Sequence, residues 1–461
     1  MLERFIRFLA IKAKEDMKGN IIKEQIKDYS KKYKSCDTSE IATNALTQKN
    51  INEVAVNWSA YSKINHQFSN KISGELKKVT NQKQSGRCWG FAGLNLMRIE
   101  IAKKYNLENF EFSQNYFMFW DKFEKSNFFL ENIISTRHER LDSRVVMWLL
   151  SNPIEDGGQW DMFVNLIEKY GAIPKDSMAE SFQSSNSRMM NILITRLLRQ
   201  FACELREKYA KNDQSELRVR KQEMLSIIYS LLCKFLGEPP TRIDWQFTDK
   251  KKKFHRFSDV DPLDFYKKMV GVELKNKICL IHCPMQDKSF DSLYTVKFLG
   301  NVIEGQIVRY VNLEIDRLKE YAFNSIKNDE AVWFGCDVGK MFNRNLGIMD
   351  MNIYSYDKLL GVNIDIGKQK RLEYGDSCMT HAMLFTGVDV KHKKFVKWRV
   401  ENSWGDKPGD KGYYYMSDKW FDEYMYEIVI DKKYLSEDVI NLYGGKATEL
   451  APWDPMGSLA Y

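Results

Sequence analysis

Four side chains with catalytic potential occur in short motifs along the chain, and one of them is a cysteine that begins an apolar run. Cys88 follows the polar loop 82–87, and the apolar residues after it recur at helical spacing. Because a helix N-terminus carries partial positive charge, we expect it to favour a thiolate and to lower the pKa of Cys88. Gln82 lies six positions earlier, where its side-chain amide can return beside the sulfur and donate to an oxyanion.

The other two side chains lie in short motifs far downstream. His381 belongs to a Thr-His-Ala sequence, and Asn402 belongs to a Glu-Asn-Ser-Trp-Gly sequence. A cysteine nucleophile needs a base, and the base needs a partner that orients it. His381 and Asn402 can fill these two roles, so the set predicts nucleophilic catalysis by a thiol.

The order of these motifs resembles the papain superfamily of cysteine peptidases. Three stretches resemble its bleomycin hydrolase branch, also called aminopeptidase C: Ser-Gly-Arg-Cys-Trp at 85–89, Asp-Gly-Gly-Gln-Trp-Asp at 156–161 and Trp-Asp-Pro-Met-Gly at 453–457. The resemblance runs from about Ile21 to the last residue. Its motifs are more specific than a lone cysteine and histidine.

This resemblance implies hydrolysis of peptide bonds. The Cys88 thiolate attacks the carbonyl carbon, and the His381 imidazolium stabilises the thiolate and then protonates the leaving amine. The side-chain carbonyl of Asn402 accepts a hydrogen bond from the imidazole, while Gln82 and the Cys88 backbone N–H bind the oxyanion. Trp404 is expected to cover the His381–Asn402 hydrogen bond from water, to fill the core, or both.

The resemblance also implies an aminopeptidase that acts on peptides with a free N-terminus, with hydrolysis of bleomycin left open. Gly157 and Gly158 are expected to contact the substrate backbone, because adjacent glycines allow a close approach. The tail 451–461 is expected to lie in the active-site cleft, where the carboxylate of Ala460 meets the substrate's α-ammonium group. Tyr461 lies beyond the usual end of such tails, so we expect the enzyme to remove it.

A helix must carry the nucleophile. The apolar spacing from Trp89 to Tyr105 predicts a helix with Cys88 in its first turn. Gly90 and Gly93 stand where the resemblance implies bulkier residues. We therefore expect looser packing behind the nucleophile.

A β-hairpin must carry the base and its partner. The segments 383–388 and 395–400 read as strands that flank a charged turn at 389–394. His381 then lies just before one strand and Asn402 just after the other. Because the two open ends of a hairpin come together, this layout brings the two side chains close.

The fold class implied is α+β, a papain-like two-lobed fold with a helical lobe, a β-barrel-like lobe and a large helical insertion. In a minimal papain-like enzyme the histidine follows the cysteine by roughly 130–150 residues, whereas here 293 positions separate them. Helical runs at 188–211 and 216–236 account for part of the surplus. The predicted domains are an N-terminal extension (1–20), an arm with the helical catalytic lobe (21–175), a helical insertion for oligomerisation (176–275), a β-rich catalytic lobe (276–450) and the tail (451–461).

Charge is concentrated in the insertion. Residues 188–256 contain 16 Lys and Arg against 8 Asp and Glu, which equals the formal net charge of +8 for the whole chain. A solvated surface explains such a block, and so does a basic rim that attracts acidic partners such as nucleic acid. The resemblance implies a homohexamer, in some members with a basic central channel.

Composition restricts the compartment and the cofactors. Eight cysteines without a Cys-x-x-Cys pair predict free thiols and a cytoplasmic protein. Cys279, His282 and Cys283 lack a second ligand pair, so we expect no metal, and no cofactor is implied. The longest apolar runs are too short for a membrane helix. Residues 1–14 fit either a basic presequence or an ordinary N-terminal helix.

Overall fold

The structure is a computed structural model that describes residues 19–36, 38–209 and 214–460. The predicted N-terminal extension, except for its last two residues, lies outside this part of the chain, as does Tyr461. The chain divides into two compact units, Met1–Lys63 with Asn352–Asp365, and Ile64–Met351 with Ile366–Tyr461. The arm and the helical lobe, which we grouped as one domain, therefore fall into different units.

The smaller unit is mainly helical. Val56 forms an antiparallel bridge with Tyr354, and the backbone N–H of Asn57 donates to the carbonyl oxygen of Ile353. These contacts join the segment 352–365 to the rest of the unit. Its helices are α1 (Lys23–Lys34), α2 (Ser39–Leu46), α3 (Ile51–Val54), α4 (Trp58–Tyr61) and, later in the chain, α14 (Tyr356–Leu360).

The larger unit contains the helical lobe, the insertion, the sheet and the tail. Ser113 caps one of its longest helices, because its side chain accepts a hydrogen bond from the backbone N–H of Tyr116. The helices of this unit are α5 (Cys88–Lys104), α6 (Gln114–Ser135), α7 (Arg144–Ser151), α8 (Trp160–Tyr170), α9 (Phe182–Ser185), α10 (Arg188–Tyr209), α11 (Gln214–Leu236), α12 (Pro262–Asp264), α13 (Ile315–Lys327), α15 (Lys368–Glu373), α16 (Asp418–Tyr424) and α17 (Glu437–Tyr443). A π-helical segment, Phe265–Val270, follows α12 directly.

The larger unit also contains a mixed sheet. Its strands are β1 (Asn70–Lys71), β4 (Lys277–Ile281), β5 (Ser292–Val296), β6 (Arg309–Asn312), β7 (Val332–Cys336), β8 (Phe342–Asn343), β9 (Ile348–Met349), β10 (His381–Lys391), β11 (Lys394–Glu401), β12 (Tyr413–Ser417), β13 (Met425–Asp431) and β14 (Thr448–Leu450). They are ordered β14-β5-β6-β4-β13-β7-β10-β11-β12-β9-β8 across the sheet, and β1 also pairs with β10. The α+β class is therefore confirmed. The pairing is an open path, so the barrel-like expectation is not confirmed by the hydrogen bonds of the described strands.

Helix α5 is buried over most of its length, and its two glycines are tightly covered. A Cβ atom on Gly90 would come within 2.3 Å of the Phe117 ring, and one on Gly93 within 2.7 Å of the Phe163 ring. The expectation of loose packing behind the nucleophile is therefore wrong. The aromatic rings of neighbouring helices occupy the space that the glycines leave.

The predicted hairpin is present as β10 and β11, which pair in antiparallel register with Leu384 opposite Glu401. His392 and Lys393 connect the strands with positive φ angles of 50° and 61°, a conformation that suits the twist of a two-residue hairpin turn. His381 is the first residue of β10 rather than the residue before it. This register brings the beginning of β10 beside the end of β11.

A buried ion pair joins the helix of the nucleophile to this hairpin. The guanidinium of Arg98, on α5, lies 2.5 Å from the carboxylate of Glu401, the last residue of β11. Both side chains are almost fully buried. The indole N–H of Trp333, on β7, also donates to the backbone carbonyl of Trp89 at 3.1 Å. These contacts set the distance between Cys88 and the strands that carry its partners.

The insertion is helical only in its first part. Helices α10 and α11 agree with the prediction, but β2 (Ile243–Thr248) and β3 (Phe254–Val260) form an antiparallel hairpin where a helical insertion was expected. The sequence alternates there, and Trp245 on β2 is 5% exposed, as expected for a strand with one buried face. The basic residues 250–253 lie in the exposed connection between β2 and β3.

The carboxylate of Asp156 connects three elements around the nucleophile loop. It accepts hydrogen bonds from Lys122 Nζ on α6 at 2.6 Å, from the backbone N–H of Gly86 at 2.8 Å and from Asn191 Nδ2 on α10 at 2.8 Å. Ser187 donates its hydroxyl hydrogen to the same carboxylate. Burial alone would raise the pKa of Asp156, but Lys122 and these hydrogen bonds outweigh it and hold the pKa well below its usual range.

We expect Asp156→Asn to lower the free energy of unfolding at pH 7 by roughly 3–5 kcal/mol, because it leaves the buried Lys122 ammonium without a counter-charge. The folded-state pKa is depressed, so the contribution of Asp156 is present above the unfolded pKa of about 3.9 and is lost as the pH falls below it. Urea unfolding between pH 3 and pH 7 should show a difference from wild type that shrinks with acid.

The matched control is Asp142→Asn, which removes an aspartate paired with Arg140 on the surface. Exposed pairs contribute little, so this variant should unfold like wild type. Equal stability of Asp156→Asn and wild type at pH 7 would contradict the role given to the buried carboxylate.

Candidate active site

The predicted nucleophile, Cys88, occupies the first position of α5 and is fully buried. Its sulfur accepts a hydrogen bond from the backbone N–H of Ala382 at 3.4 Å. Ala382 is the residue after His381, so the sulfur lies at the beginning of β10. The predicted start of the helix at Cys88 is confirmed.

His381 and Asn402, the predicted base and its predicted orienting partner, are hydrogen-bonded. His381 Nε2 lies 2.9 Å from Asn402 Oδ1, and the same oxygen accepts from the backbone N–H of Ser403 at 2.7 Å. Because that second contact identifies the Asn402 atom as the oxygen, His381 Nε2 carries a hydrogen and Nδ1 is free to accept or hold a second proton. The Trp404 ring centroid lies 4.8 Å from that of His381.

Burial dominates the protonation of this pair. It raises the pKa of the Cys88 thiol to about 12, although the N–H of Ala382 acts in the opposite direction. Burial likewise lowers the pKa of His381 to about 4, against the hydrogen bond to Asn402. The expected lowering of the Cys88 pKa is therefore wrong for this closed arrangement, because loss of water outweighs the helix N-terminus.

Gln82 is positioned by two serines. Its Nε2 donates to the carbonyl oxygen of Ser85 at 2.7 Å, and its Oε1 accepts from the Ser403 hydroxyl at 2.6 Å. An amide nitrogen carries two hydrogens, so the contact with Ser85 leaves one hydrogen for another acceptor. Ser403, the residue after Asn402, therefore links Gln82 to Asn402 through its hydroxyl group and its backbone N–H. The sequence did not predict this link.

Arg87 is a second residue that the sequence reasoning overlooked. Its guanidinium contacts both carboxylate oxygens of Glu180, at 3.1 and 2.8 Å, and its Nε donates to the Ser85 hydroxyl at 2.9 Å. Only 3% of its side chain is exposed. A charged residue inside a run that is otherwise buried is a signal for such a contact, although its partner could not be read from the sequence.

Arg344 is a third such residue, and no local pattern marks it. Its guanidinium lies 4.2 Å from the Trp404 ring centroid. Burial has the largest effect on the pKa of His381, and the hydrogen bond to Asn402 has the next largest. The positive charge of Arg344 has a smaller effect, and it lowers the pKa. The cation therefore lies beside the site without pairing with the base.

The predicted glycine pair lies against the tail. The backbone N–H of Gly158 donates to the carbonyl oxygen of Ala460 at 3.1 Å, and the two residues form an antiparallel bridge. A Cβ atom on Gly158 would come within 2.5 Å of the Trp89 ring, so the helix of the nucleophile itself requires glycine there. Gly157 is held from the other side, where Lys125 Nζ donates to its carbonyl oxygen at 2.6 Å.

The tail is attached along its length. Gln159 Nε2 donates to the carbonyl oxygen of Ser458 at 2.5 Å, and Lys288 pairs with Asp454 at 2.9 Å. The guanidinium of Arg144 lies 3.7 Å from the Trp453 ring centroid. Ala460 is fully buried. The question of whether Tyr461 is removed lies outside the described residues.

The described residues contain no group of three or more His, Cys, Asp and Glu side chains arranged to hold a metal ion. His282, considered above with its neighbouring cysteines, instead places Nδ1 2.9 Å from the carbonyl oxygen of Leu313. Within the same part of the chain, none of the helices has the length and apolar character needed to cross a membrane. A thiol at the beginning of β10, close to the hydrogen-bonded His381 and Asn402 pair, can support acyl transfer.

Comparison with known proteins gives a consistent result. A model of the Peptidase C1-like family matches residues 20–457. Aminopeptidase C of Listeria monocytogenes is 43% identical over 445 residues, which cover 96% of this chain and 100% of that protein. Bleomycin hydrolase of Homo sapiens is 42% identical over 429 residues, with 91% and 94% covered.

A solved structure agrees over the same extent. The crystal structure of pepw from Lactobacillus rhamnosis superposes with a TM-score of 0.94 at 44% identity, and the match covers 96% of this chain and 100% of that one. The resemblance inferred from the motifs is therefore confirmed, and this chain belongs to the Peptidase C1-like family.

Proposed function

We propose that this protein is a cysteine aminopeptidase that removes N-terminal residues from peptides by a Cys88–His381–Asn402 mechanism. The observation that carries the proposal is the 2.9 Å hydrogen bond between His381 and Asn402, with the Cys88 sulfur held 3.4 Å from the next backbone N–H. Its relatives named aminopeptidase C and bleomycin hydrolase support the same activity.

In the proposed reaction, the proton of the Cys88 thiol moves to His381 Nδ1, and the sulfur attacks the carbonyl carbon of the N-terminal residue. The imidazolium then protonates the leaving amine as the C–N bond breaks, which produces a thioester. Water attacks the thioester, with His381 as the base, and releases the amino acid. Asn402 keeps Nε2 protonated and thereby directs Nδ1 to the sulfur side.

The oxyanion of each tetrahedral intermediate is assigned to the second hydrogen of Gln82 Nε2 and to the backbone N–H of Cys88. Ser85 and Ser403 fix the amide of Gln82 in one orientation, so little reorganisation is needed during the reaction. A donor in such a hole stabilises the transition state by roughly 3–4 kcal/mol.

The preference for a free N-terminus is assigned to the tail. The bridge between Ala460 and Gly158 supports it, because the tail then occupies backbone donors that an extended peptide would use. After removal of Tyr461, the Ala460 carboxylate would meet the substrate's α-ammonium group. A charge-assisted hydrogen bond of this kind contributes roughly 1.5–3 kcal/mol. Hydrolysis of bleomycin is proposed through the same thioester chemistry.

We further propose a homohexamer in the cytoplasm. Met189, Ile192 and Leu193 lie on one face of α10 and are 57%, 40% and 43% exposed, which favours burial against another subunit. All eight cysteines are free, as suits a reducing compartment. Mass photometry at micromolar concentration should detect the hexamer, and a stable monomer would contradict it.

A nucleic-acid-binding assembly remains the second candidate function. The exposed residues Lys250, Lys251, Lys252 and Lys253 lie in the connection between β2 and β3, where a phosphate backbone could reach them. Binding through such contacts is independent of sequence and weakens steeply with salt. The hydrogen-bonded site favours peptidase activity as the main function.

We expect Cys88→Ala to abolish hydrolysis of aminoacyl-aminomethylcoumarin substrates, because it removes the thiol at the beginning of α5 that lies beside the backbone N–H of Ala382. Asn402→Ala should lower kcat by more than tenfold with a smaller effect on KM, because it frees the imidazole from its orienting partner. The matched control is Cys203→Ala, which removes an exposed thiol on α10 and should leave kcat and KM unchanged. Turnover by Cys88→Ala at the wild-type rate would contradict the mechanism.

Deletion of residues 457–461 should reduce aminopeptidase activity and allow cleavage of N-blocked peptides, because it removes the carboxylate that meets the α-ammonium. It also admits water to Cys88, so the thiol should react faster with iodoacetamide at pH 7. The control is Trp453→Ala, which removes the contact between the tail and Arg144. This variant loosens the tail but keeps its last residues in the chain.

The mass of the intact chain tests the trimming step. Purified wild type should lack the mass of Tyr461, whereas Cys88→Ser should retain it. If the deletion variant leaves N-blocked peptides uncut, the tail does not select free N-termini.

A further inference from the structure

A small cavity lies beneath the tail, in the same unit as the catalytic residues. Its volume is about 20 Å³, which is enough for one water molecule. Pro455, Met456 and Ser458 of the tail line it on one side, and Gln159 and Glu427 are among the residues that line it from the body of the unit. The tail therefore closes this space.

Two of the residues that line the cavity from the body of the unit carry buried acceptor oxygens. Both carboxylate oxygens of Glu427 and the Oε1 atom of Gln159 are buried and accept no hydrogen bond from an N–H or O–H group of the described residues. The orientation of Gln159 is set by its Nε2, which donates to Ser458, so Oε1 is the atom left over. Buried acceptors of this kind are uncommon, because each unmade hydrogen bond costs roughly 1–3 kcal/mol.

Glu427 has no positively charged partner in the described part of the chain. Within the described part of the chain, no lysine or arginine forms a salt bridge with this fully buried carboxyl group. Burial raises the pKa of Glu427 to about 8, and the nearby acid Asp161 acts in the same direction, against a contact with the Cys279 thiol. A cation in the cavity would supply the counter-charge that the protein itself does not place there.

We propose that this cavity is a subsite for a basic peptide side chain, preferably lysine, which Met456 covers while the tail is docked. A lysine side chain follows the same unbranched path as methionine and is one atom longer, so its ammonium group would extend from the position of Met456 toward Glu427 and Gln159, which line the same cavity. The inference rests on the proposed function in one respect, that a peptide takes the place of the tail in the cleft.

Other side chains fit this site less well. A neutral apolar residue leaves all three acceptor oxygens without donors, and an acidic residue adds repulsion from Glu427. Arginine needs space for a planar group with a fork of donors, whereas the lysine ammonium is compact and can rotate its three hydrogens. The subsite therefore selects by charge first and by size second.

The first test uses the full-length chain and does not depend on catalysis. Met456→Lys should leave the Tm of wild type unchanged or raise it, because the new ammonium pairs with Glu427. In a Glu427→Gln background the same change should lower the Tm, by about 2 °C or more. Met456→Gln, which is similar in size but neutral, should behave alike in both backgrounds. An equal effect of Met456→Lys in both backgrounds overturns the subsite.

The second test measures specificity in a chain that lacks residues 452–461. N-blocked fluorogenic tetrapeptides that scan each position before the scissile bond should show kcat/KM about tenfold or more higher for lysine than for methionine at one position. This preference should disappear in Glu427→Gln. Cleavage without a lysine preference overturns the subsite. If no N-blocked peptide is cut, the assignment of the tail fails, and the full-length comparison still decides the subsite.

Discussion

The buried carboxylate of Asp156 is the contact on which the site depends most. It holds the backbone of Gly86, two residues before the nucleophile, against Lys122 of α6 and the beginning of α10. The residues that follow it, Gly157 and Gly158, form the edge that receives the tail. One ion pair thus links the loop that precedes Cys88 to the strand-like edge that the proposed function assigns to peptide binding.

Two further constraints bring the catalytic groups together. The β10–β11 pairing places the beginning of one strand beside the end of the other, which brings His381 to Asn402. The buried pair of Arg98 and Glu401 then fixes this hairpin against α5. Both contacts are buried and directional, so a small change in a neighbouring side chain can move His381 away from the Cys88 sulfur. A catalytic reaction tolerates such displacement poorly.

The closed cleft explains why Cys88 and His381 favour their neutral forms, although a thiol mechanism needs a thiolate. With Ala460 buried beside Gly158, little water reaches the site, and burial favours the neutral forms of Cys88 and His381. A substrate brings an α-ammonium group and a polar carbonyl into the same space, and both favour charge separation. In the function that we propose, the tail has two roles: it blocks longer peptides, and it covers the thiol and keeps it unreactive.

The sequence by itself determined the helix that begins at Cys88, the hairpin that joins His381 to Asn402, and the family, and it predicted the catalytic set that we propose, because these depend on local spacing and on residue types with few other uses. Only the tertiary structure decided the rest. The partners of Asp156 and Arg87, the aromatic rings that cover Gly90 and Gly93, and the unpaired carboxyl of Glu427 all depend on residues distant in sequence. The sign of the Cys88 pKa shift likewise follows from burial, which the spacing of residues in a sequence does not report.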